Sequence, residues 1–147
     1  MKKAKPMWIL FALFAAVSAG AVSSLSKAGI KNTDPSLAFA VQSVLILIVS
    51  WAFVASRGQL GGLGRIDGRS WLYLISAGVV TTVSSLFSFQ ALKLGNASLV
   101  NPLQNVSLVF AILFAVLFLR EKITMQVILG ALLMAGGAVV IALSKKG

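Results

Sequence analysis

At 147 residues, 59% hydrophobic and only 11% charged, the chain lies far below the roughly 25% charge of soluble domains, which excludes an ordinary soluble fold. Its 13 Lys and Arg against 3 Asp and Glu give a net charge of +10. These cations flank apolar runs instead of clustering among aromatics, so they read as headgroup anchors and exclude a nucleic-acid partner. With no Cys and no His, disulfides, thiolate or imidazole metal centres, cysteine nucleophiles and His-based triads are removed, and neither a metal nor a cofactor is expected.

A bilayer core about 30 Å thick takes about 20 apolar residues per helix, and the sequence supplies five such stretches. The first covers residues 7–25. Lys2, Lys3 and Lys5, the apolar run and Ser18-Ala19-Gly20 also describe a secretory signal peptide; continuation of the run to Leu25 argues for a span. Gly20, Ser23 and Ser24 lead along one face to Lys27, which either snorkels to the interface or draws anions to a cavity mouth. Asp34-Pro35 then supplies an N-cap followed by proline at the first helical position of the second span, 36–55. That span carries one amide, Gln42.

Residues 57–70 hold Gly58, Gly61, Gly62, Gly64 and Gly68 and read as a flexible surface loop. The loop lacks the Gly-Lys-Ser/Thr ending and the preceding strand of a phosphate-binding loop. The third span, 71–91, places Thr81, Ser84, Ser85 and Ser88 at i, i+3, i+4 and i+7, one helical face. Either they pack helices closely or they line a cavity. Trp8, Trp51, Trp71 and Tyr73 sit near span ends, as interfacial aromatics do.

Gly95-Asn96 separates the third span from the fourth, 99–119. Here Asn101, Gln104 and Asn105 share a face beside Pro102, a helix hinge that cannot donate a backbone hydrogen bond. Buried amides without partners cost about 1–3 kcal/mol each, so this cluster bonds to itself, to water, to a neighbouring helix or to a solute. The fifth span, 123–143, has Ala131, Ala135, Ala138 and Ala142 on one stripe with Gly130, a dimer or packing face. Between these spans Glu121 lies beside Arg120 and Lys122, which suggests a local ion pair. None of the five stretches contains Asp, Glu, Lys or Arg.

Several of these residues carry a resemblance. Phe89-Gln90-Ala91-Leu92-Lys93-Leu94-Gly95-Asn96-Ala97, Asn101-Pro102-Leu103, Phe118-Leu119-Arg120-Glu121-Lys122, and Gly130 with Gly136-Gly137 follow one another as in the EamA domain of the drug/metabolite transporter superfamily. The first half, through Ser24 to Ile30 and Asp34-Pro35, resembles it more loosely. The resemblance implies an all-α membrane protein in which residues 1–147 form a single five-helix transmembrane EamA-type repeat. Family members normally join two such halves of opposite orientation. A lone repeat needs a second copy to complete a cavity at the midplane, so an antiparallel homodimer is expected, with a parallel dimer or another five-helix chain as the competing partner. Short relatives carry a charged pair after the proline where this chain has Leu103-Gln104-Asn105, and small multidrug exporters use a membrane glutamate that it lacks.

The expected function is that of a permease-like transporter in the prokaryotic inner membrane, not an enzyme. It works by alternating access on a small polar or zwitterionic metabolite, bound by Asn101, Gln104, Asn105, Thr81, Ser84, Ser85, Ser88 and Gln42. A flippase for a lipid-linked headgroup and a non-transporting membrane adaptor are the alternatives. Cations on the face of the N-terminus (Lys2, Lys3, Lys5, Arg57, Arg65, Arg69, Arg120, Lys122) outnumber those on the other (Lys27, Lys31, Lys93, Lys145, Lys146). The bias favours a cytoplasmic N-terminus and is weak enough to leave dual topology open.

Overall fold

A computed structural model describes residues 7–144. Lys2, Lys3, Lys5, Lys145 and Lys146 of the orientation tally lie outside the described residues, as does the cationic start of the signal-peptide reading.

The described residues are all-helical: α1 (Met7–Gly29), α2 (Pro35–Ser56), α3 (Gly68–Leu94), α4 (Ala97–Gln104), α5 (Ser107–Leu119) and α6 (Met125–Leu143), with a 3₁₀ turn at Leu60–Arg65. Five segments are long and apolar enough to cross a membrane, with α4 and α5 together forming the fourth. The boundaries follow local chemistry. Asp34 caps α2, its Oδ1 accepting from the backbone N–H of Ser36 at 2.9 Å and of Leu37 at 3.2 Å, while Pro35 starts the helix where no N–H is required. Asp67 does the same for α3, where its carboxylate accepts from the Ser70 N–H and the Ser70 hydroxyl. At the end of α2, Gly58 takes φ +65°, the left-handed conformation in which glycine has no Cβ penalty, and Gln59 N–H closes on the Val54 carbonyl at 3.1 Å.

Three expectations are corrected. The glycine-rich segment lies at the surface as expected but holds a 3₁₀ turn, with Leu60, Leu63 and Ile66 at its three-residue period and Leu63 and Ile66 bordering a cavity with Trp51 and Val54. Next, α1 and α3 run past the expected limits, so Lys27 and Lys93 occupy their last turns instead of connections. Helical cations are tolerated there because the side chains reach carbonyls at the helix ends. Last, Glu121 forms no ion pair among the described residues. Its turn is organised by backbone instead, with Arg120 at φ 54°, ψ 34° and Glu121 N–H donating to the Ala115 carbonyl at 3.2 Å.

The chain divides into two compact units, one through Lys93 and one from Leu94 onward. In the first unit the buried residues are Ile30, Pro35, Phe89 and Leu92, all where α1 ends, α2 begins and α3 ends. Phe39 and Phe89 meet edge to face with ring centroids 5.6 Å apart, a geometry that aligns ring edge with ring face. Close packing and ring contact in this cluster tie the three helices together at that end. Val44 to Val49 and Val79 to Val83, farther from that end, are largely exposed.

In the second unit α6 packs against α4 and, less extensively, α5. The covered face of α6 is Gly130, Ala131, Ala135 and Ala138, with Ala138 only 4% exposed. Small side chains allow the backbones to approach closely where lipid offers no hydrophobic drive for helix association.

Candidate functional site

The expected site residues are divided between the two units: Gln42 and the hydroxyl face lie in the first, the amide cluster in the second.

Most helical hydroxyls in the first unit close on their own helix. Ser18, Ser23, Ser24, Ser43, Ser50, Ser56, Ser76 and Thr82 each donate to a carbonyl three or four residues back, at 2.8–3.2 Å. Such back-bonding satisfies a hydroxyl without any tertiary partner. Thr81, Ser84, Ser85 and Ser88 do not back-bond. Thr81 and Ser84 are exposed, and Ser85 and Ser88 are half-buried. One face of α3 therefore presents hydroxyls whose hydrogen-bonding capacity is unspent, beside Thr82, whose hydroxyl is spent on Gly78. Gln42 is half-buried and its Oε1 accepts from the Ser26 hydroxyl at 3.3 Å, a cross-link between α1 and α2.

The amide cluster is split by the geometry of the fourth span. Pro102 lacks an N–H, so the Ser98 carbonyl one turn back has no main-chain donor from it. Beyond it the helix tightens into i→i+3 bonds, with Val106 N–H to Leu103 at 3.1 Å and Leu108 N–H to Asn105 at 3.0 Å. The hinge thus falls at Asn105 and Val106, after the proline. Asn101 turns inward with its Oδ1 buried and unpartnered, whereas Gln104 and Asn105 are exposed. Of the small-residue stripe, Gly130, Ala131, Ala135 and Ala138 lie on the covered face of α6, and Ala142 is exposed.

Lys27 has a definite partner: its ammonium donates to the Leu92 carbonyl. Lys93 makes the reverse contact, donating to the carbonyls of Ile30 at 2.7 Å, Lys31 at 3.0 Å and Thr33 at 3.2 Å. Each lysine satisfies carbonyls at or just beyond the C-terminal end of the other's helix, where the macrodipole favours a cation. Residue-by-residue reading missed this reciprocal clamp. Its signal was present in Lys27-Ala28-Gly29 and Lys93-Leu94-Gly95, a lysine two residues before glycine at the ends of two helices that finish on the same face.

The match to the EamA-like transporter family runs from residue 6 to residue 143, nearly the whole chain. The chain belongs to this family. It is 38% identical over 135 residues to an uncharacterised transporter encoded in the cobO 3′ region of a Sinorhizobium species, covering 92% of this chain and 96% of that protein. It is also 30% identical over 78 residues to an uncharacterised protein of Methanocaldococcus jannaschii, across 53% of this chain and 57% of that one. No solved structure matches. The family and the spans make this a multi-pass membrane protein of transporter type.

Proposed function

We propose that the protein moves a small polar or zwitterionic metabolite across the prokaryotic inner membrane by alternating access, as an antiparallel homodimer whose two copies supply the two halves of the transport path. The observation that carries the reading is the set of polar groups left without partners: the Thr81, Ser84, Ser85 and Ser88 hydroxyls on α3 and the buried Oδ1 of Asn101 on α4. In a bilayer such groups have no water to fall back on, and a neutral hydrogen-bonding solute satisfies groups of this kind in either unit. The spans carry no carboxylate, which weighs against a proton relay and favours facilitated diffusion or an unrelated coupling ion. With no Cys, no His and no carboxylate in the spans, the partners that would activate a hydroxyl nucleophile or hold a metal are missing, which argues against an enzyme.

Counterflow into proteoliposomes with a labelled zwitterionic amino acid and an uncharged polyol tests this. Ser85→Ala and Asn101→Ala are each expected to slow exchange of the accepted solute about tenfold, equivalent to roughly 1.4 kcal/mol of lost stabilisation. Unchanged exchange in both variants contradicts the assignment of these faces.

A further inference from the structure

We propose that the first unit carries a binding site for a phosphate-type oxyanion, in the cavity formed where α1 and α3 end. The cavity has a volume of about 480 Å³ and is lined by Ser24, Lys27, Ala28, Ile30, Lys31 and Lys93. Ser24, Lys27, Ala28 and Lys31 stand at i, i+3, i+4 and i+7, which is one helical face. The helical turn persists past Gly29, because the Ile30 N–H donates to the Ser26 carbonyl at 2.9 Å. Lys93 enters from the last turn of α3. Three ammonium-bearing side chains thus open on one space, and no acidic residue lines it among the described residues.

This charge has no counterion in the unit. The chain holds three acidic side chains. Asp34 accepts from the Ser36 and Leu37 N–H groups and does not line the cavity. Asp67 stands before the start of α3, a 27-residue helix, and so lies roughly 40 Å from its end. Glu121 belongs to the second unit. Lys27 and Lys93 donate to carbonyls at or just beyond the ends of each other's helices, contacts that hold the ammonium groups in place without cancelling their charge. Two helix C-termini supply about half a negative charge each, well short of three ammonium charges, and Lys27 and Lys31 repel each other across one turn. The Lys31 side chain is exposed and engages no partner among the described residues. A bound anion offsets this excess. Lysine acts as a point charge approached from any side, which suits a tetrahedral phosphate, whereas a planar carboxylate is matched by the fork of arginine; the cavity offers lysine alone. Its volume falls within the roughly 300–1,000 Å³ of small-molecule sites, so the phosphate belongs to a larger molecule, either a soluble phosphate ester or a lipid headgroup.

Equilibrium binding of radiolabelled glycerol 3-phosphate to the protein in non-ionic detergent, at constant ionic strength, tests the site. Saturable binding is expected, with unlabelled glycerol unable to compete. Lys31→Gln weakens it about tenfold, the scale of one charge-assisted hydrogen bond. Arg65→Gln removes the same charge from the 3₁₀ turn that follows α2 and leaves binding unchanged. Ala28→Leu narrows the cavity at constant charge and weakens binding severalfold. Native mass spectrometry with equal phosphatidylglycerol and phosphatidylcholine of identical chains then separates the two sources. Preferential retention of phosphatidylglycerol, reversed by millimolar glycerol 3-phosphate, supports a lipid headgroup; equal retention of the two lipids beside saturable glycerol 3-phosphate binding supports a soluble ester. The proposal is overturned by no saturable binding, by an effect of Lys31→Gln no larger than that of Arg65→Gln, or by unchanged binding in Ala28→Leu. Transport is not read in this experiment, so its failure leaves the proposed function standing.

Discussion

Arg120 holds a left-handed backbone (φ 54°) at the end of α5, a conformation that costs a non-glycine residue about 1 kcal/mol. Arg120→Gly is expected to raise stability by about 0.5–1 kcal/mol and Arg120→Val to lower it, measured as thermal midpoints in detergent. Asp67 gives a pH dependence of definite sign. The Ser70 hydroxyl and then the Ser70 N–H hold its carboxyl below the ordinary value of 3.8. A group whose folded pKa is depressed contributes stability above its ordinary value, and that contribution is lost as pH falls through the folded pKa. Amide exchange at Ser70 and Trp71 should therefore accelerate below about pH 4 relative to the body of α3, and Ser70→Ala should shift the onset upward. Equal acceleration throughout α3 would argue that the cap is unimportant. Lys93→Met removes the donor to three carbonyls and is expected to cost about 1 kcal/mol, the scale of a cation at an exposed helix C-terminus.

At the scale of elements, the fourth span and α6 make the clearest pair. Pro102→Ala restores a donor for the Ser98 carbonyl, and the irregular turn at Asn105 and Val106 should become regular helix, detected as slowed exchange of the Val106 amide. The face of α6 formed by Ala131, Ala135 and Ala138 is turned to a close neighbour within its own unit, so Ala135→Leu should destabilise the fold by overpacking, by about 1–3 kcal/mol. Much of this was legible beforehand. The five apolar runs, the Asp34-Pro35 start of α2 and the Gly95-Asn96 break follow from hydropathy and cap chemistry, which act over a few residues. The 3₁₀ turn at Leu60–Arg65 was masked by its glycines, which read locally as loop residues. The displacement of the hinge past Pro102 and the division of Asn101 from Gln104 and Asn105 depend on how the ladder relaxes after a missing N–H. The clamp of Lys27 and Lys93 arises from two helix ends more than sixty residues apart in sequence, beyond the reach of any local pattern.

At the scale of the whole molecule, the buried residues are few: Ile30, Pro35, Phe89, Leu92 and Ala138 make up the buried set among the described residues. Most apolar surface, and the unspent hydroxyls of α3, remain for lipid, solute or a second copy. A single five-helix unit whose flanking cations are only weakly biased towards one face is compatible with the proposed inverted pair. We propose that one gene product inserts in both orientations and pairs with its own inverse. Fusing a cytoplasm-active and a periplasm-active reporter separately to Gly147 tests it most directly. The account predicts comparable activity from both fusions; activity from one alone contradicts the antiparallel homodimer.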